Sequence, residues 1–422
     1  MFKKIAFTFG IKVIIAILNL AIVVLLSRNI GAEGKGEASL IVTSIAMILL
    51  FCNIVGGSSL VYFVPRHNIF RLFLLSNAWS LIVCIIAFLL FQVFPFVPES
   101  AIIPVILLSL INSFLSTNLN ILLGAEKINT HNVISLLQAI INMIILLLML
   151  KGMDQYNVGS YIISLYSAMG GCLLISCFLV YPVIASNKQA NEDGLAIKLF
   201  QYGAYGQAGH VMKFMSFRCT YYMLSAYSGE VTLGIFSNGV SVIESIFLIS
   251  NSIATILYPK ISNSKDDAYS RLLTLQLTKL SIILCITALV PLMLLPSSFY
   301  IWLFGPEFSG VQNVIIILAP GVLFYNIALV IGHYFSGRGF FKVNTWANLT
   351  GLITTLALAL LWYPQFGMTE VGIISTVSYI ATGLFIIFHF MKDAGIPFSH
   401  MLPRPSDVKF LLKEAKGLLK KE

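Results

Sequence analysis

The chain is predicted to be an all-α polytopic membrane protein, with twelve transmembrane helices in two parallel six-helix repeats around a central cleft. Three observations predict this. Of 422 residues, 58% are hydrophobic and only 10% are charged, whereas a soluble domain carries roughly 25% charged residues to coat its surface. About 245 apolar positions, divided by the roughly 20 that one spanning helix needs, give about twelve spans. Short sequence matches also recur six spans apart. The same composition excludes a disordered chain, a collagen and a disulfide scaffold.

The apolar stretches fall at about 5–27, 38–64, 71–94, 101–123, 131–150, 158–181, 199–226, 231–258, 275–303, 310–335, 343–362 and 370–391. The first follows Lys3 and Lys4, as a signal peptide would. However, Lys12 interrupts it, it continues to Leu26, and no small-residue cleavage site follows, so it reads as a retained span. Several stretches contain Pro or Gly, which membrane helices tolerate. The seventh is the least hydrophobic.

Loop charge sets the orientation. With the amino terminus inside and Lys12 counted on that side, the inner segments hold 21 of the 26 basic residues. The outer turns hold Arg28, Lys35 and Lys151 against seven acids: Glu33, Glu37, Glu99, Asp154, Glu230, Glu307 and Glu370. Lys213 and Arg218 lie inside the seventh span. That asymmetry puts both termini in the cytoplasm and accounts for the net charge of +9 without nucleic acid. The predicted domains are an amino-terminal bundle over 1–187, a carboxyl-terminal bundle over 188–392 and a cytoplasmic tail over 393–422. In the tail, Asp407 can cap a helix whose Val408, Leu411, Leu412, Ala415, Leu418 and Leu419 share a face. Lys409, Lys413, Lys416, Lys420 and Lys421 cover the remainder, as in a helix lying on the inner leaflet.

The repeat rests on three matches. Gly124, Lys127, Asn129 and Thr130 recur as Gly339, Lys342, Asn344 and Thr345. Pro98 and Glu99 recur as Pro306 and Glu307, and Gly31 and Gly36 as Gly229 and Gly234. Six is even, so the halves share one orientation, as in transporters with parallel repeats.

No P-loop, HExxH, GxSxG or metal-ligand cluster occurs, and no cofactor is expected. The six cysteines, Cys52, Cys84, Cys172, Cys177, Cys219 and Cys285, lie in apolar runs without CxxC spacing and read as packing residues. His210, His333 and His389 are scattered, and such residues usually make helix–helix hydrogen bonds.

The run from Ser27 through Gly31, Gly34 and Gly36 to Glu37 resembles the first outer turn of the polysaccharide and O-antigen flippases. Those proteins belong to the multidrug/oligosaccharidyl-lipid/polysaccharide exporter superfamily. Gly234, Ser237, Asn238 and Gly239, then Glu244 and the closing Tyr258 and Pro259, are similar to the family's eighth helix. Phe304, Gly305, Glu307 and Phe308 are similar to its GxEF turn. The resemblance covers the whole chain. One position departs: the family's R-x-D on helix seven reads Arg218, Cys219, Thr220 here.

Charges at membrane depth cost roughly 2.5–3.5 kcal/mol each even on the lenient insertion scale, which marks them as functional candidates. They are Lys12, Lys213, Arg218 and Glu244, with His210 beside them. On the seventh span Gln207, His210, Phe214 and Arg218 share a face, and Lys213 stands about 140° from Arg218, so one base can face the cleft while the other pairs with Glu244. Lys12, His210, Lys213 and Arg218 form the predicted cationic cleft, with Glu244 in charge pairing or coupling. Asn19, Asn53, Asn238 and Ser241 are candidate sugar contacts, Asn112, Asn118, Ser58 and Ser245 further ones. Three bases against one acid call for an anionic cargo, and Lys and Arg bind pyrophosphate well.

The resemblance implies a flippase that carries an undecaprenyl-pyrophosphate-linked oligosaccharide across the bacterial cytoplasmic membrane. Its partners would be that lipid-linked substrate, membrane lipid, a polysaccharide polymerase and chain-length machinery. A multidrug or cation antiporter of the same superfamily is the alternative. A membrane enzyme is disfavoured because such enzymes usually carry a large outer loop, and every outer turn here is short.

Overall fold

The computed structural model describes residues 2–94, 96–187, 194–264 and 266–403; for residues 2–7, 9, 255 and 256 it describes the backbone alone. The tail helix expected over 408–421 lies outside the described residues. The described chain is helical throughout: α1 (Phe2–Gly56), α2 (Ser58–Phe63), α3 (Ile69–Val93), α4 (Glu99–Gly124), α5 (Ile128–Leu147), α6 (Val158–Ala185), α7 (Leu195–Glu244), α8 (Phe247–Ser262), α9 (Asp267–Leu294), α10 (Ser297–Phe304), α11 (Val311–Gly337), α12 (Phe341–Trp362) and α13 (Met368–Ala394).

Among the described residues, ten helical stretches are long and apolar enough to cross a membrane. Two of them, Gly10–Phe63 and Leu195–Ser262, run 54 and 68 residues. At 1.5 Å per residue these far exceed the roughly 30 Å hydrocarbon core. Each is broken at one glycine in the left-handed region, Gly31 (φ +73°) and Gly229 (φ +78°). A side chain is strained there and glycine is not. The sequence places turns at these two positions, between the first and second and between the seventh and eighth spans, although only the leading glycine of each pair leaves the helix.

Other boundaries follow local chemistry. Asn68 accepts from the Arg71 N–H at 3.0 Å and opens α3. Asn157 does the same for α6 through Ser160, and Asp266 opens α9 by accepting from Ala268 and Tyr269. Each satisfies an N–H that the first turn would leave without a partner. Gly395, at φ +67°, stops α13.

Two compact units emerge. The first comprises 1–214, 221–237 and 301–308. In it α1 packs on α3, α4 and α5, and α6 covers α4 and α5, around Leu60, Leu72, Leu115, Ile121 and Leu199. The second comprises 215–220, 238–300 and 309–422. Its centre is α11, flanked by α8, α9 and α13, with Leu257, Ile331, Tyr334 and Phe390 buried. Outside these cores large apolar side chains stay exposed, Phe178 at 80% and Leu361 at 79% among them. Water would not tolerate such a belt, and lipid supplies its solvent.

Candidate functional site

The sequence candidates fall into separate settings. On α1, Lys12 and Asn19 are exposed and seven residues apart, so they lie on one face. No carboxylate among the described residues pairs with Lys12. Beside them α5 presents His131, Ser135, Gln138 and Asn142 at helical spacing. Asn132 Nδ2 donates to Thr8 Oγ1 at 2.8 Å, fixing the register of the two helices near the amino terminus. Ile15, Asn19, Ser135, Gln138, Ala139 and Asn142, closed from behind by Leu165 and Ala168 of α6, line a cavity of about 260 Å³. Sequence reasoning named Lys12 and Asn19 but missed the α5 stripe, although its three-and-four spacing was readable.

Asn53 is half-buried, and its Oδ1 accepts from Ser116 at 3.2 Å, a helix-to-helix bond. In the first unit His210 is exposed and Lys213 half-buried, while Gln207 is buried. Asn238 is fully buried in the second unit, and Ser241 is half-buried.

The second unit also holds Arg218, whose guanidinium grips Glu244 in a two-pronged pair, Nη1 to Oε1 at 3.0 Å and Nη2 to Oε2 at 2.6 Å. Tyr379 of α13 donates to the same carboxylate at 3.0 Å. The pair keeps 23% and 17% side-chain exposure, so it is neither dry nor fully solvated. Phe217, Tyr325, Tyr379 and Phe247 form a chain of ring contacts beside it, with centroids 4.2 to 5.6 Å apart. Glu244 ends α7, and the turn before α8 follows at once. Below lies a hydroxyl cluster: Ser216 meets Ser378 at 2.7 Å and Thr355 at 3.2 Å, and Ser378 donates to the Gly351 carbonyl. Among the described residues no group of three His, Cys, Asp or Glu side chains could hold a metal ion.

The turns at Gly31 and Gly229, both in the first unit, interlock. The break at Gly31 leaves the next helical turn with free N–H groups, and Glu307 fills the gap, its Oε2 accepting from the Ala32 N–H at 2.6 Å. A carboxylate at that end also suits the helix dipole. Arg28 answers from the other side by donating to the carbonyls of Trp302 and Leu303. Across the turns, a Cβ on Gly36 would run into the Glu230 carbonyl, and one on Gly234 into the Ala32 carbonyl. Lys35, one of the turn bases counted in the sequence, is only 5% exposed. Its ammonium donates to Ser39 at 2.7 Å and Ser237 at 3.0 Å. By the sequence assignment, residues 28–37 and 227–230 fall between spans. There burial lowers the Lys35 ammonium to about 7. Burial, with the charges of Glu230 and Glu33, raises the Glu37 carboxyl.

No family model matches the chain. Over 167 residues, 39% of this chain, it is 26% identical to the capsular polysaccharide biosynthesis protein CapF of Staphylococcus aureus; that stretch is 42% of the relative's length. Among solved structures, the lipid II flippase MurJ in an inward closed conformation superposes with a TM-score of 0.71 at 16% identity, covering 94% of this chain and 89% of MurJ. An inward-facing multidrug MATE transporter of the MOP superfamily gives 0.67 at 13%, covering 90% and 95%. The Vibrio cholerae MATE transporter VcmN gives 0.64 at 11%, covering 92% and 96%. At such identities the likeness is one of fold: the chain is a multi-pass membrane protein with the fold of the MOP-superfamily transporters.

Proposed function

We propose that the protein is a flippase that moves an undecaprenyl-pyrophosphate-linked oligosaccharide from the cytoplasmic to the outer leaflet, for O-antigen, capsule or exopolysaccharide assembly. The breaks at Gly31 and Gly229 divide the two longest helices, so the reading takes twelve crossings in two six-helix repeats. Both termini are placed in the cytoplasm. The transport mode is alternating access, in which substrate binds the two conformations with different affinity.

The observation that carries the choice of cargo is the charge left over at membrane depth. The one carboxylate deep inside a span, Glu244, is held by Arg218 and Tyr379, whereas Lys12 is exposed and has no carboxylate partner among the described residues. An uncompensated ammonium there costs free energy unless water or an anion meets it. A pyrophosphate supplies that anion. Lys12, His210 and Lys213 form the proposed cationic surface for the headgroup, with Asn19 as a sugar contact. Arg218 stays in the proposal as a residue that either meets substrate or fixes Glu244. Asn53, Asn238 and Ser241 remain candidate sugar contacts. A polysaccharide polymerase and chain-length machinery would take the product.

The MATE likeness keeps a cation antiporter as the second reading. That function wants a free acid for a cationic drug, and Glu244 is already engaged. A chromosomal deletion separates the two. It should abolish the surface glycan and leave sensitivity to lipophilic cations unchanged. Increased drug sensitivity with a normal glycan would establish the antiporter.

A further inference from the structure

The cavity between α1 and α5 lies wholly within the first unit, and its lining has an unusual chemistry. Asn19 and Gln138 carry side-chain amides with no hydrogen-bond partner among the described residues. Asn142 spends its Oδ1 on Ser164 at 2.8 Å, which leaves its two amide N–H donors. Ser135 donates to the His131 carbonyl at 3.0 Å and keeps its acceptor lone pairs. No carboxylate lines the space, and at about 260 Å³ it is far larger than one ion or one water requires. An exposed lysine and bare amides on a lipid-facing surface would be costly, so this face meets water or a polar ligand.

The lining selects among ligands. A cation would find no countercharge, and Lys12, on the face of α1 that carries Asn19 and within electrostatic reach of His131 on α5, would repel it. An acyl or prenyl chain would leave the amides unsatisfied in a dry site. An uncharged ring that carries hydroxyl or N-acetyl groups satisfies both halves of each amide, since a hydroxyl donates and accepts at once. Lys12 lies seven residues, about 10 Å of helix, from Asn19. That is roughly the reach from a pyrophosphate to the first sugars attached to it.

We propose that this cavity is a sugar subsite, in which Asn19, Gln138 and Asn142 hydrogen-bond one ring of the glycan while Lys12 meets the adjoining pyrophosphate. The inference rests on the flippase reading and deepens it by naming the residues that sense the sugar separately from the phosphate.

Equilibrium binding to the full-length protein in lipid nanodiscs tests it. The probes are undecaprenyl pyrophosphate alone and the same lipid carrying N-acetylglucosamine, galactose or glucose. At least one sugar-bearing lipid should bind about tenfold tighter than the bare one, the gain of one or two net hydrogen bonds. Asn19→Leu and Gln138→Leu should each erase that preference while changing bare-lipid affinity less than twofold. Lys12→Gln should weaken bare and sugar-bearing lipids alike. Equal affinity of all four lipids for the unaltered protein would overturn the subsite and leave the flippase reading standing. So would a preference that survives both leucine variants and their milder forms, Asn19→Ala and Gln138→Ala. Loss of bare-lipid binding in all four variants would assign these residues a structural role and overturn it too. Failure of the unaltered protein to bind any of the lipids would overturn the flippase reading itself, and the subsite with it.

Discussion

Arg218 illustrates how a residue marked by sequence as a substrate ligand takes on a second identity in the structure. Both prongs of its guanidinium are engaged by Glu244. Removing one member of a buried pair strands the other, at roughly 3–5 kcal/mol when fully buried; at 23% and 17% side-chain exposure a smaller cost, roughly 1–3 kcal/mol, is expected. Arg218→Ala should therefore lower membrane abundance, and adding Glu244→Gln should restore it, as measured by quantitative blotting of membranes. Recovery of glycan export along with abundance in the double variant would leave the arginine a purely structural role. Abundance without export would show that it also meets the cargo. The arginine, the glutamate and the option of their pairing were legible in the sequence, because a lone acid among bases at membrane depth needs a partner. Tyr379 was not legible. It reaches Glu244 from a helix 135 residues away, and no local pattern distinguishes it from the other aromatic residues of a membrane chain.

At the scale of the element, the turns at Gly31 and Gly229 carry the sharpest constraints. The glycines at 31, 36, 229 and 234 stand out in sequence, but their two uses do not. Gly31 and Gly229 supply a left-handed backbone, while Gly36 and Gly234 supply the absence of a Cβ where helix backbones touch. Gly36→Ala and Gly234→Ala should each prise this contact apart. In cells, a cysteine at Glu37 should then react with an impermeant thiol reagent several-fold faster than in the unaltered background. Glu307→Gln keeps an acceptor for the Ala32 N–H but loses the charge at a helix start, a term of about 0.3–1 kcal/mol, so its effect on the same labelling should be small. Glu307→Ala should have a larger one.

Lys35 adds a pH dependence that composition could not foretell, because a lysine in an outer turn is ordinarily solvated. Its folded value, about 7, lies below the usual lysine value of 10.5. The packing of the turns is therefore favoured while the amine is neutral, and it loses stability as pH falls from above 10 toward 7. Glu33, Glu37, Glu230 and Glu307 lie in the same region, and burial raises the Glu37 and Glu230 carboxyls. Labelling at these turns, divided at each pH by that of a fully exposed reference cysteine to cancel the change in thiolate fraction, should consequently rise as pH drops from 9 to 7, and Lys35→Met should flatten that change.

For the whole molecule, the all-helical membrane fold was already implied by a chain with 10% charged residues, since only helices and closed barrels satisfy every backbone group in lipid and apolar runs of about 20 residues suit helices. The bounds of α3 to α6 and α11 to α13 followed from the apolar stretches to within about four residues, whereas α9 begins at Asp267 rather than 275, and the expected spans 38–64 and 231–258 are interrupted after Gly56 and after Glu244. The division into α9 and α10 did not follow either, because an apolar run from 275 to 303 hides the stop at Leu295. The α1–α5 cavity was half legible, with one wall marked by Lys12 and Asn19 and the other overlooked. Orientation is testable in a background lacking the six native cysteines. Single cysteines at Ser100, Asn157 and Gln365 should label from outside intact cells, and ones at Glu126, Asn263 and Lys342 should label only after the membrane is opened. The reverse pattern would invert the topology.

The central claim is that this transporter fold carries an anionic, lipid-linked glycan. Its most direct measurement is transport by the purified full-length protein in liposomes, loaded with undecaprenyl-pyrophosphate-linked saccharide on one leaflet and, separately, with a lipophilic cation. Leaflet position is read by an enzyme that cleaves only exposed sugar. The account predicts that protein-containing vesicles equilibrate the glycolipid well above the protein-free rate, that Lys12→Gln slows this several-fold, and that the cation does not move. Transport of the cation with no movement of the glycolipid would contradict it.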